Sequence, residues 1–235
     1  MGGTQRGDSV QVLFVHGLGR TPLSGLPTLW RLRRQGHDAC SFGYCASLQT
    51  FEAIRGRLEE RLTRMAGQGD YAVVGHSLGG VLLRSALESL PVAVPRPTQA
   101  FLLGSPIAPA RMARLLRDRW LFRLLAGDCG QLLASGERMG AIGPMAARTT
   151  SIVGIKGWKG AWSPFGGTLN DGVVAVDEVA APWIAEEIRV PVVHTLLPSS
   201  QRVAGILLAS MDLQRLPDPL RGEVSARSAG LPPHA

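Results

Sequence analysis

The chain has 235 residues, of which 45% are hydrophobic and 18% charged, and its formal net charge is +7. A chain of this length buries a sizeable core, and no apolar run approaches the roughly 18 residues of a membrane span, so a soluble protein is expected. Much of the basic excess is arginine scattered along the chain, and no basic recognition helix or aromatic-basic motif accompanies it, so nucleic acid is not expected as a partner.

Six β-prone segments alternate with helical patterns along the chain. The predicted strands span residues 10–15, 37–44, 71–74, 99–103, 150–155 and 190–196. The clearest helical pattern follows the second strand and places these apolar residues on one face: Phe51, Ile54, Leu58, Leu62 and Met65. The alternation predicts an α/β fold, with a mainly parallel sheet of about six strands and helices on both faces.

A nucleophile elbow is predicted where the third strand meets the next helix, at Gly75-His76-Ser77-Leu78-Gly79. A serine on such a sharp turn needs small residues two positions before and after it, and Gly75 and Gly79 meet that need. The turn lifts the Ser77 hydroxyl above the sheet and leaves the Leu78 N–H facing an incoming carbonyl oxygen. Glycine and serine are common in any turn, but the position between strand and helix strengthens the prediction.

The segment 106–148, which follows the fourth strand, is rich in arginine and leucine. An i, i+4 stripe runs through it, interrupted by Arg123, and consists of Met112, Leu116, Trp120 and Leu124. Two interpretations stand: a small cap or lid over a site, or an ordinary helix packed on the sheet. A lid that opens on lipid would bring its arginines to anionic head groups and would make transient contact with a membrane surface.

A serine nucleophile needs a histidine to take its proton and a carboxylate to orient that histidine. Among the five histidines, His16 lies in a glycine-rich turn, His37 begins a strand and His234 lies in the tail. His76 adjoins the serine with its side chain expected to point away. His194, near the end of the last predicted strand, is therefore the predicted base, and a hydrogen-bonded structural histidine is the alternative.

Asp171 is the predicted acid, because it lies in a turn between the fifth predicted strand and His194. The resulting order Ser, Asp, His is the one expected of an α/β-hydrolase. The alternative is an Asn-Asp-Gly turn selected for its backbone alone. Asp177 and Glu178 are the reserve carboxylates.

The second backbone donor for a developing oxyanion is expected in the loop after the first strand, His16-Gly17-Leu18-Gly19. Gly17 lets the backbone approach closely, and the Leu18 N–H is the predicted donor. A tight strand-to-helix turn without substrate contact is the alternative.

Together these motifs resemble the lipase and esterase branch of the α/β-hydrolases, in particular small bacterial lipases and the lipase-like relatives of GPI inositol-deacylases. The resemblance covers most of residues 10–211, and its carriers are residues 15–19, 75–80, 103–106, 170–174, 194, 196–197 and 199–201. It implies a compact α/β-hydrolase fold that lacks the first strands of the full eight-stranded sheet. It also implies Ser77 as nucleophile with Asp171 and His194 as partners, Leu18 and Leu78 as oxyanion donors, small-molecule or lipid esters as substrates, and no cofactor or metal.

One domain is expected over residues 1–216, followed by a disordered tail, 217–235, rich in proline and glycine. The start of the chain lacks the apolar core of a secretory signal, which predicts a cytoplasmic protein. The three cysteines, Cys40, Cys45 and Cys129, are expected to be reduced and mostly buried. The sequence predicts no oligomeric state.

The leading functional prediction is a serine ester hydrolase that works through an acyl-enzyme. An acyltransferase or thioesterase on the same fold is the first alternative, because these share the triad and the oxyanion hole. A non-catalytic binding module that keeps the fold is the second alternative.

Overall fold

One sheet of six parallel strands runs through the described part of the chain, in the order β2-β1-β3-β4-β5-β6. The computed structural model describes residues 9–160 and 163–215. The strands are Gln11–Val15 (β1), Asp38–Phe42 (β2), Tyr71–His76 (β3), Gln99–Leu103 (β4), Thr149–Gly154 (β5) and Glu186–Val190 (β6). The predicted parallel sheet is confirmed, and all the strands end at the same edge.

Helices cover both faces of this sheet. They are Leu26–Arg34 (α1), Phe51–Ala66 (α2), Leu78–Ser89 (α3), Arg111–Leu116 (α4), Trp120–Ala134 (α5), Gly136–Gly140 (α6), Val176–Val179 (α7) and Gln201–Arg215 (α8). Short 3-10 helices span Pro22–Gly25 and His194–Ser199. On β1, Leu13 and Val15 face the core beneath α2 and α3, whereas Val12 and Phe14 face α1 and α8. Both faces of the central strands are buried, which explains their unbroken apolar sequence.

The apolar face predicted for the second helix is confirmed. All five residues of that face are buried in α2, and Thr50 begins the helix by accepting a hydrogen bond from the Ala53 N–H at 3.2 Å. Because the side chains recur every three or four positions, one face meets α3 and the sheet while the other meets solvent.

The prediction of the last strand, 190–196, is wrong. The strand is β6, Glu186–Val190, and it pairs only with β5 at the edge of the sheet. Edge strands carry charged residues, here Glu186, Glu187 and Arg189, and these conceal the apolar pattern of a strand. Pro191 follows directly and cannot donate to the ladder. His194 consequently begins a 3-10 helix instead of lying within a strand.

The stripe predicted through segment 106–148 does not form one continuous face. Residues 117–119 separate α4 from α5. Met112 and Leu116 line an internal cavity, whereas Trp120 and Leu124 are 74% and 62% exposed. A helical period does not continue across non-helical residues, so positions on α4 and on α5 need not share one face.

Three further expectations concern the ends of the chain, the cysteines and a membrane-spanning helix. The predicted disordered tail, 217–235, and the first eight residues lie outside the described residues. All three cysteines are free, but only Cys129 is buried; Cys45 is exposed, so the expectation of mostly buried thiols is wrong. Within the described ranges, no helix is long and apolar enough to cross a membrane.

Candidate functional site

Ser77 occupies the turn between β3 and α3 with backbone angles φ 51° and ψ −121°. In the described residues it is the only non-glycine residue with a positive φ. A Cβ at Gly75 would lie 2.5 Å from the Gly80 Cα, and one at Gly79 would lie 2.1 Å from the Val15 carbonyl oxygen. The turn is thus strained at the serine and sterically closed on both sides, which is the geometry of a nucleophile elbow.

His194 and Asp171 form a buried pair at the carboxyl edge of the sheet. The His194 Nδ1 lies 2.7 Å from the Asp171 Oδ2, and the His194 N–H donates to the Asp171 carbonyl at 2.9 Å. The other carboxylate oxygen accepts the N–H groups of Val173 and Val174 at 3.0 and 2.8 Å. Since an ionised carboxylate only accepts, Nδ1 carries the proton and Nε2 is left as the basic nitrogen.

The structure brings Ser77 and His194 to the wall of one cavity of about 270 Å³. The Ser77 hydroxyl makes no hydrogen bond to the His194 ring within the described residues. Such bonds are often long in ligand-free sites and shorten when substrate binds.

The two predicted oxyanion donors lie on loops that meet at the serine. Leu18 follows β1 and Leu78 is the first residue of α3, and neither N–H has a hydrogen-bond partner in the described chain. A Cβ at Gly17 would lie 3.1 Å from the Ser77 Cβ, so the loop after β1 contacts the elbow directly. Two free N–H groups at this position suit a developing negative oxygen.

The expectation that the His76 side chain points away from the site is wrong. Its ring centroid lies 4.7 Å from that of His194, and its Nε2 lies 3.1 Å from the His194 carbonyl oxygen. A carbonyl only accepts, so Nε2 carries the hydrogen. Burial and the neighbouring His194 hold the pKa of His76 well below its usual value. His76 is therefore a neutral side chain that supports the loop of His194.

His16 supports the loop after β1. Its ring stacks on Tyr44 with centroids 4.1 Å apart, and the Tyr44 hydroxyl donates to the His16 carbonyl at 2.7 Å. Burial lowers the pKa of His16. The sequence analysis does not single out Tyr44, and its only signal there is its position at the end of the predicted strand 37–44.

The cavity beside Ser77 is mainly apolar, and α4 and α5 form part of its wall. Its apolar lining includes Leu18, Met112, Ala113, Leu116, Phe122 and Leu133. Helices α4 and α5 of segment 106–148 therefore line the candidate site, and we refer to them as the cap; that they act as a lid stays a prediction.

The reserve carboxylates do not contact His194. Glu178 is buried and accepts the N–H groups of Arg111 and Ala175 at 2.6 and 2.7 Å, and burial raises its pKa. Asp177 pairs with the Arg111 guanidinium. Both carboxylates thus hold the first residue of α4 to α7, and Glu178 also binds the loop that carries Asp171 through the Ala175 N–H.

No family model and no curated protein matches the sequence. Solved structures do resemble the chain. The mature lipase BlEst2 of Bacillus licheniformis is similar with a TM-score of 0.67 and 16% identity, over 87% of this chain and 93% of that one. The thioesterase RedJ from the prodiginine pathway of Streptomyces coelicolor has a TM-score of 0.57 and 17% identity, over 86% and 84%. Tomato methylketone synthase I with 2-tridecanone has a TM-score of 0.57 and 15% identity, over 87% and 98%. The chain therefore has the α/β-hydrolase fold, in a compact six-stranded form.

Proposed function

We propose that the protein is a serine hydrolase that cleaves carboxylic esters through an acyl-enzyme. The observation that most supports this is the 2.7 Å contact between His194 and Asp171 beside the strained turn at Ser77. The fold it shares with a lipase and a thioesterase supports a hydrolase more generally.

In the first half of the reaction, the Ser77 Oγ attacks the ester carbonyl carbon and passes its proton to the His194 Nε2. Asp171 stabilises the imidazolium that forms. The carbonyl oxygen becomes negative and accepts the N–H groups of Leu18 and Leu78. The carbon–oxygen bond to the alcohol then breaks, and the departing oxygen takes the proton from His194.

In the second half, a water molecule attacks the acyl-enzyme and gives a proton to His194. The bond to the Ser77 Oγ breaks, the carboxylic acid leaves and the serine regains its proton. The apolar cavity under the cap holds the acyl chain. With about 270 Å³ it lies just below the range of pockets for drug-sized ligands, so we expect acyl chains of about four to eight carbons to react fastest.

A chain-length series of p-nitrophenyl esters, from acetate to palmitate, tests this function. The wild type should hydrolyse them, Ser77→Ala should not, and Ser24→Ala, which changes a half-buried serine outside the site, should behave as wild type. A fluorophosphonate probe should label the wild type at Ser77. If no ester reacts and the probe leaves Ser77 unlabelled in a folded protein, the hydrolase proposal fails and a non-catalytic binding module takes its place.

A thioesterase is the second candidate, because one similar structure is a thioesterase. The same catalytic residues would act, with a thiol as leaving group in place of an alcohol. Hydrolysis of acyl thioesters and esters that share one acyl chain separates the two activities, and an added alcohol that captures the acyl group would indicate an acyltransferase.

The cap presents an exposed apolar patch that favours contact with a membrane surface. The patch consists of Leu115, Trp120, Leu121, Leu124 and Leu125, and the exposed charges on the same helices and turn are Arg114, Arg117, Arg119, Arg123 and Asp118. Leucine and tryptophan beside a net positive charge suit an anionic bilayer.

Co-sedimentation with phosphatidylserine vesicles tests this contact. Binding should weaken as salt rises and should fall in Trp120→Ser, whereas Trp30→Ser, which changes an exposed tryptophan on α1, should bind as wild type. Equal binding to neutral and anionic vesicles would contradict the proposal. The cytoplasmic location stays a prediction, and binding to the cytoplasmic leaflet of a membrane is consistent with it.

A further inference from the structure

A second groove adjoins the candidate site, and His194 separates it from the acyl cavity. Both share Val173, His194 and Thr195 in their lining. The groove has a volume of about 430 Å³, is open to solvent, and is completed by the loop that carries Lys156 and Trp158. A substrate that reacts at Ser77 therefore has a second space beside His194, next to the acyl cavity.

The Trp158 side chain is exposed yet held in place. It is 63% exposed, but its indole N–H donates to the Gly172 carbonyl at 3.2 Å. Its backbone is fixed by the buried Asn170, whose Oδ1 accepts the Trp158 N–H at 2.8 Å and whose Nδ2 donates to the Trp158 carbonyl at 2.9 Å. An immobilised indole face loses little conformational entropy when a ligand packs on it.

The same loop supplies an unpaired positive charge. Lys156 lines the groove and has no carboxylate partner among the described residues. The nearby Asp171 carboxylate is already satisfied by His194 and two backbone N–H groups. In a chain whose other basic residues are arginines, Lys156 and Lys159 are the two lysines, and both lie in this loop. An ammonium group binds phosphate as a point charge.

We propose that this groove binds the leaving-group part of the substrate and selects one that carries a phosphate, which pairs with Lys156 while the rest packs on Trp158. This inference rests on the proposed function, in which His194 gives its proton to the departing oxygen or sulfur. The leaving group must then lie beside His194, and the acyl cavity is occupied by the chain. A glycerophosphate head group and the phosphates of an acyl-coenzyme A thioester share this chemistry.

Binding to the inert variant Ser77→Ala tests the groove without any turnover. Glycerol 3-phosphate and coenzyme A are titrated separately, with isothermal calorimetry and Trp fluorescence as readouts. At least one should bind, and adding Lys156→Met should weaken it about fivefold, the size expected of one exposed ion pair. Lys159→Met, which removes the other lysine of the loop, should have a smaller effect. The proposal is overturned if neither ligand binds or if both lysine variants bind equally well.

Turnover distinguishes the two phosphate sources. Octanoyl glycerol 3-phosphate, octanoyl-coenzyme A and the neutral 1-octanoylglycerol carry the same acyl chain, whose length lies within the range expected to react fastest. Lys156→Met should raise KM for one phosphate-bearing substrate about fivefold and leave the neutral ester unchanged. Equal effects on neutral and charged substrates would refute the groove proposal while the hydrolase proposal stands. If the wild type turns over none of these substrates and the fluorophosphonate probe does not label it, the hydrolase proposal fails. The binding titration would still show whether the groove binds a phosphate through Lys156.

Discussion

Asp171 is the residue whose contacts argue most directly for catalysis. Its carboxylate accepts hydrogen bonds from the His194 ring and from two backbone N–H groups, and the residue is buried. A structural turn would need only the backbone bonds. The contact with the ring also sets which His194 nitrogen carries the proton.

Asp171→Asn should therefore lower kcat for p-nitrophenyl esters about 10⁴-fold, because the amide can stabilise the wrong ring tautomer. The thermal midpoint should change far less than activity does. Asp177→Asn, which alters a reserve carboxylate paired with Arg111, should keep kcat close to wild type. If the Asp177 variant lost as much activity as the Asp171 variant, the assignment of the acid would be wrong.

The buried histidines should make stability depend on pH. The pKa values of His76 and His16 are lowered in the folded protein, chiefly by burial, so both stay neutral there while the unfolded chain takes up protons below its usual pKa of about 6.5. The contribution of the two neutral histidines to stability should thus be complete above pH 7. The free energy of unfolding should fall as the pH drops below about 6.5, by up to about 1.4 kcal/mol per pH unit for each histidine.

Urea denaturation of the wild type and His76→Gln between pH 7.5 and 5 measures this effect. The variant should be less stable at pH 7.5 but should lose less stability on acidification. Parallel losses in both proteins would mean that His76 titrates normally in the folded state.

At the scale of elements, the β3–turn–α3 unit depends on close approach of backbones. Gly79→Ala should destabilise the fold by about 3 kcal/mol, because its Cβ would lie 2.1 Å from the Val15 carbonyl oxygen and β1 would have to move. The matched control is Gly56→Ala within α2, where nothing lies within 4 Å of the added Cβ. That variant should be more stable than wild type by about 0.5–1 kcal/mol, since alanine favours a helix.

Chemical denaturation of both glycine variants gives the comparison directly. A Gly79→Ala protein as stable as Gly56→Ala would show that α3 can shift away from β1. Activity should be lost with Gly79→Ala, because the same shift would displace the Leu78 N–H.

Element boundaries show where sequence patterns suffice. The elements α2 and β4 have strong local patterns, and both were predicted well from sequence alone. By contrast, the predicted position of β6 is wrong. An edge strand exposes many of its side chains to solvent, so charged residues replace the apolar run that marks a central strand. The prediction of one apolar stripe through segment 106–148 is wrong for a different reason. Residues 117–119 interrupt the helix, so residues four positions apart across them need not lie on one face.

At the scale of the whole molecule, Glu178 ties the start of α4 to the loop that carries Asp171. Glu178→Ala would leave the N–H groups of Arg111 and Ala175 without their acceptor, at a cost of about 1–3 kcal/mol for each buried group. Amide hydrogens of α4 should then exchange faster with solvent, as hydrogen–deuterium exchange can measure. Glu60→Ala, an exposed change on α2, should leave that exchange unaltered. Unchanged exchange in the Glu178 variant would show that other contacts hold the cap.

The sequence by itself determined the α/β architecture and singled out Ser77, Asp171 and His194, because each depends on local signals: apolar periodicity, a glycine-flanked turn, and polar residues after strands. Only the tertiary structure decided that His76 supports His194, that Tyr44 stacks on His16, that α4 and α5 line the cavity, and that Trp158 borders a second groove. Those contacts join segments that are distant in the chain. They depend on how the strands and helices pack together, so no local sequence pattern indicates them.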